Sequence, residues 1–298
     1  MFDFLIHILV VATIYGIVAV SLNLQAGTAG LMNFGQIAFF GIGGYAAALV
    51  AQAGGPPGLG ILCGILAAVA AGAFVGRLGR NLEAEYWAIA TLGLAEIVRI
   101  VAINESWLTG GAEGIGGPIG LFAGLRGPAH GLALLGLSAM CLLACYALVQ
   151  ALTNRQFGRV LRLLREQPDL AVSFGYDVVS FKVRAVMVGA PVAALAGALM
   201  TYYIAYISPA DLASFGTFVV WTIVIIGGIG NHRGAVLGAF IVQLIYTGAL
   251  FLKDVIGIPS ELAGSLRMLI IGCLLLAFLM IRSGGLLPEK LRRIDAEN

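Results

Sequence analysis

The sequence TNRQFGRVLRLLREQPDLAVSFGYDVVS, residues 153–180, is the one long basic and hydrophilic stretch in a chain that is otherwise strongly apolar. A stretch this charged must lie in water rather than in lipid. Its second half predicts a short helix that begins at Pro168 and stops at Gly175, because proline suits the first helical turn and glycine the position just past the end. A stiff helix in the main internal loop indicates a docking surface for a cytoplasmic partner. The loop therefore favours a transporter that is driven by another polypeptide.

The composition predicts an all-α polytopic membrane protein. Of the 298 residues, 60% are hydrophobic and 11% are charged, whereas soluble domains carry about 25% charged residues. Most of the apolar segments approach the roughly 20 residues that a helix needs to cross a bilayer, so we expect about 8–10 transmembrane helices. The segments are 4–24, 34–53, 58–77, 85–103, 130–151, 181–206, 213–230, 234–252 and 262–281. Segments 34–53 and 213–230 are glycine-rich, which predicts that one or both are broken or re-entrant.

The basic residues predict the orientation of the chain in the membrane. No Lys or Arg precedes Arg77, and basic residues favour the cytoplasmic side. With loop 153–180 in the cytoplasm and nine crossings, the N-terminus is outside and most basic residues are inside. Loop 104–128 is then external and the tail 283–298 cytoplasmic. We expect a single transmembrane domain over residues 1–298, with no soluble domain.

Charged residues inside the membrane are costly, and Glu96 and Arg99 are candidates for function on that ground. They lie three residues apart on one predicted helix, so they can face each other. One interpretation is a self-contained ion pair; the other is that the pair lines the solute path or bridges to a neighbouring helix. A single carboxylate near mid-membrane is a poor site for a coupling ion, which again favours an external energy source.

The polar stretch Asn23–Gln36 (NLQAGTAGLMNFGQ) interrupts the apolar sequence between the first two segments. Irregular backbone at membrane depth must be buried or line a cavity, which would make this stretch part of a pathway or gate. An inner loop of amides at the headgroup level would be equally polar. We predict that Asn33 and Gln36 line the translocation path, with Glu96 and Arg99 as further candidates.

The sequence argues against enzymatic chemistry. It contains no P-loop, no dinucleotide-binding glycine motif and no zinc spacing, so we expect no cofactor and no metal. Cys141 and Cys145 share a helix face but lack neighbouring ligands, and we interpret them as apolar filler. Ser138 and His130 lie about 12 Å apart by helical rise, too far for a catalytic pair. The basic loop lacks interleaved aromatic residues, so we expect no nucleic acid, although anionic lipid headgroups could attract it.

Five ordered motifs together resemble the LivM-type permease subunits of branched-chain amino-acid ABC importers. The motifs are Gly27–Ala47 (GTAGLMNFGQIAFFGIGGYAA), Thr91–Arg99 (TLGLAEIVR), Leu108–Gly114 (LTGGAEG), Phe157–Gly175 (FGRVLRLLREQPDLAVSFG) and Gly227–Ala239 (GGIGNHRGAVLGA). The similarity extends from about residue 10 to residue 285 and is specific at the level of the family.

The resemblance implies an ABC importer permease fold in a bacterial inner membrane. It implies a LivH-like sister permease, two cytoplasmic ATPase subunits and an external solute-binding protein as partners, with ATP hydrolysis on the ATPases. It also identifies Arg165–Gly175 as the coupling helix. The residues that we expect to couple the chain to the ATPase are Arg159, Arg162, Arg165, Glu166, Pro168, Ala171 and Gly175.

The solute remains open at this stage, because importers of this type carry branched-chain amino acids, urea, short amides and other small solutes. A second hypothesis is an ion-coupled secondary transporter or channel that works without ATPase partners. Transport by the isolated chain would distinguish it from the importer.

Overall fold

The computed structural model describes residues 2–79, 82–117, 121–122, 127–256, 260–282 and 284–289, and it is almost entirely helical. The helices are α1 Phe2–Asn23, α2 Gln36–Gln52, α3 Pro57–Leu78, α4 Ala84–Asn104, α5 Ser106–Thr109, α6 Pro128–Asn154, α7 Gln156–Glu166, α8 Pro168–Ser173, α9 Val178–Ile204, α10 Ser214–Gly227, α11 His232–Ile256 and α12 Ser260–Ile281. A π-helical turn, Leu24–Thr28, extends α1, and 3-10 turns cover Gly111–Glu113 and Pro209–Leu212. Two short strands, β1 Ile115–Gly116 and β2 Tyr206–Ile207, pair antiparallel.

The all-α polytopic fold is confirmed, including its broken elements. Within the described residues, six helices are long and apolar enough to cross a membrane: α1, α3, α4, α6, α9 and α12. Helices α10 and α11 form a pair bent by 120°, and α2 is a shorter apolar helix. Each apolar segment predicted from the sequence is helical, and the two glycine-rich segments correspond to the short α2 and the bent α10–α11 pair.

The start of α1 and the segment 284–289 lie at opposite ends of the bundle. His7 near the start of α1 is 2.8 Å from the hydroxyl of Tyr203 near the end of α9. At the other end, Arg165 of α7 donates to the carbonyl of Gly27. The segment 284–289 lies at this second end, because Leu286 N–H donates to the carbonyl of Ile226 (2.8 Å).

The loop 153–180 and the segment 284–289 therefore share one end of the bundle, while the orientation of the chain in the membrane stays a prediction. Of the external loop predicted at 104–128, residues 118–120 and 123–126 lie outside the described residues. The same holds for residues 283 and 290–298 of the predicted tail.

The centre of the bundle is formed by α1, α2 and α9, and glycines set their spacing. A Cβ atom on Gly197 of α9 would lie 1.8 Å from the carbonyl oxygen of Phe40 in α2. One on Gly43 would lie 1.9 Å from the carbonyl oxygen of Ala194. Such close approach is the reason that small residues collect at helix contacts in membranes. Helices α3, α4, α6 and α12 instead expose broad apolar faces, suited to lipid or to another subunit.

Candidate coupling and translocation site

The loop 153–180 folds into two helices, α7 and α8, that meet at Gln167. Helix α8 begins at Pro168 and ends at Ser173, so the predicted short helix is confirmed. Gly175 follows with a φ of 80°, in the left-handed region that favours glycine. Its N–H donates to the carbonyl of Val172 at 2.8 Å, which closes the end of the helix. The glycine stop is therefore a conformational requirement of this loop.

Aromatic contacts hold the two helices against the start of α9. The ring of Phe181 in α9 stacks on Phe157 of α7, and it meets Tyr176 edge-on, with centroids 5.9 Å apart in each case. The side chain of Asp177 caps α9 by accepting from the N–H groups of Val179 and Ser180. The residues on both sides of α8 are therefore packed against the start of α9.

Helix α8 has one face against the bundle and one face open. Ala171 is fully buried, whereas Leu170, Val172 and Phe174 are 41%, 60% and 67% exposed. Ala171 was predicted to take part in coupling to the ATPase. In the structure its side chain is buried against the rest of this chain. The sequence did not indicate the exposed apolar side chains around it, because α8 is too short to show a repeating pattern of apolar residues.

Two of the three predicted coupling arginines meet a carboxylate of their own chain. Arg165 lies 2.9 Å from Glu289 and 3.0 Å from Glu166, while Arg162 makes a looser contact of 3.4 Å with Glu289. Arg159 is exposed. Burial by itself lowers the pKa of Arg165, but the hydrogen bonds and charges of Glu166 and Glu289 outweigh it and raise the pKa. Arg165 therefore remains a cation that ties α7 to the C-terminal segment.

A buried polar cluster, which we call the latch, joins the ends of α1, α6 and α11. It consists of Asn23, Thr153, Gly230 and His232. The amide oxygen of Asn23 accepts from the N–H of Gly230 (2.9 Å), and its amide nitrogen lies 3.0 Å from Nδ1 of His232. Nε2 of His232 is 3.1 Å from the hydroxyl of Thr153. Since that hydroxyl donates to the carbonyl of Val149, the pattern suits a neutral imidazole that donates from Nε2.

The latch connects the two breaks in the helices. Asn23 immediately precedes the π-helical turn between α1 and α2, and Gly230 lies in the bend between α10 and α11. The latch borders a polar cavity of about 510 Å³ that Arg162 and Glu289 also line. The coupling arginines and both broken elements therefore meet at one end of the bundle.

The amides predicted to line the path form a network inside the bundle. Asn33, Gln36, Gln25 and Ser21 are all fully buried. Asn33 donates to Gln25 (2.8 Å), Gln25 donates to Gln36 (3.2 Å), and Gln36 donates to Ser21. Ser21 in turn donates to the carbonyl of Gly189, near the middle of α9, at 2.7 Å. The stretch is thus buried inside the bundle, and the amides of Gln25, Asn33 and Gln36 bond to one another and to Ser21.

Asn33 also borders a second, apolar cavity of about 180 Å³ between α2, α3 and α4. Its backbone carbonyl accepts from the indole N–H of Trp221 in α10 (3.2 Å), and its side chain accepts from the N–H of Gly35 (2.7 Å). Residue 33 therefore links α10 to the start of α2.

Glu96 and Arg99 form the ion pair that their spacing predicts. Nε of Arg99 lies 2.9 Å and 3.0 Å from the two carboxylate oxygens of Glu96. Both side chains are partly exposed on the outer surface of α4, and Ser214 at the start of α10 also interacts with Glu96. Neither side chain lines the cavity beside Asn33. The structure does not bring this pair together with the buried amides.

The remaining polar candidates have ordinary partners. Ser138 pairs with the hydroxyl of Thr13 (2.8 Å) and donates to the carbonyl of Leu135. Within the described part of the chain, no group of three or more His, Cys, Asp or Glu residues could hold a metal ion.

A bundle of membrane-length helices with two breaks and an anchored loop helix defines a polytopic transport permease. The sequence profile of the family described as "branched-chain amino acid transport system / permease component" matches residues 4–279. The chain belongs to this family, and it is a multi-pass membrane protein.

Curated relatives agree with the family match. The chain is 30% identical to a probable branched-chain amino acid transport permease protein LivM of Methanocaldococcus jannaschii, over 97% of this chain and 94% of the relative. It is 29% identical to the high-affinity branched-chain amino acid transport system permease protein LivM of Escherichia coli, over 98% of this chain and 72% of the relative. The LivM of Salmonella typhimurium is also 29% identical, over 95% and 70%. No solved structure matches the chain.

Proposed function

We propose that this chain is the permease subunit of an ATP-driven importer that moves branched-chain amino acids, or a related small polar solute such as urea or a short amide, into the cytoplasm. Its partners are a sister permease, two cytoplasmic ATPase subunits that hydrolyse ATP, and an external solute-binding protein. The N-terminus is outside and the C-terminus is cytoplasmic. The chain itself has no catalytic role.

The observation that carries the proposal is the exposed apolar surface of α8 on an anchored helix. Val172 and Phe174 are 60% and 67% exposed, although they lie in a loop that must be in water. Exposed apolar side chains at such a place mark an interaction site. The family to which the chain belongs consists of components of transport systems, which supplies the kind of partner. The ATPase would press on α8, and the aromatic contacts around Phe181 would pass the movement to α9.

The pairing of Glu96 with Arg99 argues against the ion-coupled alternative. A secondary carrier needs a carboxylate or opened helix ends that can take up and release the coupling ion. Glu96 is instead held by three hydrogen bonds from Arg99, and the buried amides bond to one another. An ion gradient therefore has no evident carboxylate to act on among these candidates.

The test is assembly and transport with Phe174→Asp, using the permease co-expressed with its ATPase and sister subunits. We expect loss of the ATPase from the purified complex, because a charge replaces an apolar contact, while the sister subunit is retained. Trp107→Asp is the matched control, since Trp107 is 81% exposed at the opposite end of the bundle. A Phe174→Asp complex that keeps its ATPase and its ATP-dependent uptake would overturn the docking assignment. Ion-driven uptake by the isolated chain in liposomes would instead favour the secondary carrier.

A further inference from the structure

We propose that the cavity between the end of α9 and the start of α10 is a binding site for a solute that carries both an ammonium group and an apolar side chain. The inference rests on the proposed importer function and adds the residues that recognise the solute. The cavity, which we call the aromatic cavity, has a volume of about 210 Å³. It lies at the end of the bundle opposite the coupling loop, where α1, α2, α9, α10 and α11 meet.

A carboxylate lines this cavity, and one of its two oxygens makes no hydrogen bond within the described part of the chain. Oδ2 of Asp211 accepts from the N–H (2.8 Å) and the hydroxyl (3.0 Å) of Ser208, which fixes the orientation of the side chain. Oδ1 has no hydrogen-bond partner within the described part of the chain, and Asp211 is exposed. Of the described residues that line the cavity, Asp211 is the one with a formal charge. A fixed carboxylate with a free oxygen is suited to bind an ammonium group.

The rest of the lining is suited to an apolar side chain. Five aromatic residues and a methionine contribute: Tyr15, Phe40, Tyr206, Phe215, Tyr246 and Met200. Aromatic faces attract a cation as well as apolar groups, and a thioether adapts to branched shapes. The volume is below the roughly 300–1,000 Å³ of pockets for drug-sized ligands, so the cavity selects a small solute. A carboxylate beside an aromatic, apolar wall matches an amino acid with a short aliphatic side chain better than it matches urea.

A buried polar atom lies next to this carboxylate. Tyr45 is 8% exposed, and its hydroxyl has no hydrogen-bond partner among the described residues. Asp211 and Tyr206 both interact electrostatically with Tyr45. A buried hydroxyl without a partner is costly. Tyr45 is not among the residues that line the cavity, so this hydroxyl adds negative partial charge near Asp211 but is not a contact of the proposed solute.

The aromatic cavity leads toward the buried amides. Phe40, which lines the cavity, is one helical turn beyond Gln36 on α2. Gly216, on the opposite wall, approaches Ile37 so closely that a Cβ atom on it would lie 2.9 Å from the Ile37 side chain. The buried amides therefore begin one helical turn from the cavity, behind the packed contact of Gly216 with Ile37. A single charged contact, in a wall of aromatic, aliphatic and hydroxyl-bearing side chains, keeps the binding weak enough for release.

The competing explanation is that Asp211 serves only to cap the 3-10 turn Pro209–Leu212. The variants separate the two roles. Asp211→Asn removes the charge but keeps an oxygen that can accept both bonds from Ser208. Ser208→Ala removes one capping bond and keeps the charge. Glu105→Gln is a matched control, because Glu105 is an exposed acid at the same end of the bundle that does not line the cavity.

The test measures binding to the complete importer in lipid nanodiscs, without the external binding protein. The probes are radiolabelled L-leucine and 4-methylpentanoate, which has the same carbon skeleton without the ammonium group. We expect Asp211→Asn to weaken L-leucine binding by about 10- to 100-fold, the range for a hydrogen bond to a charged group. Binding of 4-methylpentanoate should not fall, and Ser208→Ala and Glu105→Gln should bind L-leucine like the parent protein.

Three results would overturn the inference: equal L-leucine affinity in Asp211→Asn and the parent, equal losses for both probes, or a loss in Ser208→Ala as large as in Asp211→Asn. Absence of saturable L-leucine binding by a parent importer that is active in uptake would also overturn it. ATP-dependent uptake of L-leucine into liposomes, measured with the binding protein present, separates this failure from that of the proposed function. If ATP-dependent uptake is present and Asp211→Asn binds L-leucine normally, the proposed solute site is wrong, whereas the proposed importer function is supported.

Discussion

Arg165 of the loop 153–180 and Glu289 of the C-terminal segment 284–289 form an ion pair, with nitrogen and oxygen 2.9 Å apart. Each side chain is about four-fifths buried, so the pair is shielded from solvent more than a surface salt bridge. Residues 286 and 287 hydrogen-bond to the last turn of α10. The C-terminal segment is consequently a brace between the coupling loop and the bend that follows α10.

Replacing Glu289 by Gln should destabilise this brace. The arginines would lose their shared carboxylate while remaining partly buried, at a cost of about 1–2 kcal/mol, between the values for exposed and buried pairs. We expect a lower thermal unfolding midpoint of the purified importer. Glu166→Gln is the matched control, because Glu166 bonds to the same arginine but is half exposed and adjacent in sequence. Equal shifts for the two variants would show that Glu289 does not brace the loop.

The sequence predicted the helices well and the contacts between them poorly. Apolar segments, the proline at the start of α8 and the glycine after it are local signals, and each corresponds to an element in the structure. Glu289 appeared only as one acid in a charged tail. Its pairing with Arg165 depends on how α12 returns the chain to the coupling end, which no local pattern contains.

In the candidate site, too, the sequence indicated individual residues but not the contacts between them. Asn33 and Gln36 could be identified as unusual because amides are rare in apolar sequence, but the bond from Gln36 to Ser21, and from Ser21 to Gly189, depends on the close approach of α1, α2 and α9. His232 lies in a motif used for the family resemblance, yet nothing in the sequence joins it to Asn23. Asp211 was not singled out at all, because it falls in a short turn at the edge of an apolar segment.

Asn23→Leu should remove the hydrogen bonds that join Asn23 to the rest of the latch. Leucine has the same branching as asparagine but leaves the N–H of Gly230 and Nδ1 of His232 without a partner, and two buried unsatisfied groups cost about 2–4 kcal/mol. We expect a lower unfolding midpoint and reduced uptake. Asn104→Leu is the control, since Asn104 is exposed and bonds only within its own helix, to the carbonyl of Ile100. A latch variant as stable as the control would mean that the two breaks are joined in some other way.

Substitutions of Gly175 test whether coupling requires the left-handed conformation at the end of α8. No atom lies within 4 Å of a Cβ placed there, so a substitution meets backbone strain and no clash. Leucine at a φ of 80° costs about 1–2 kcal/mol, whereas asparagine adopts this conformation more readily. We expect Gly175→Leu to lower solute transported per ATP hydrolysed and Gly175→Asn to retain most of it. Normal coupling in the leucine variant would contradict the assignment of α8 as the coupling helix.

Gly197 tests the close contact of α2 and α9. Alanine there would place its Cβ atom 1.8 Å from the carbonyl oxygen of Phe40, so the helices would have to separate. We expect a loss of about 3 kcal/mol or more in stability, at the upper end for overpacking. Gly136→Ala on α6 meets nothing within 4 Å and should be neutral, or stabilising by up to about 1 kcal/mol. Thermal unfolding of the two variants, compared with the parent, measures the difference directly.

Glu96 and Arg99 can be assigned to a self-contained pair or to the solute path by a double-mutant cycle. If each residue only neutralises the other, Glu96→Gln or Arg99→Gln leaves one unpaired charge in the membrane, and the double variant should recover both protein yield and uptake. If both residues contact the solute, the double variant should transport less than either single one. The ion-pair geometry and the absence of both side chains from the cavity beside Asn33 favour recovery. Glu85→Gln, an exposed acid near the start of the same helix, controls for the loss of a negative charge on α4.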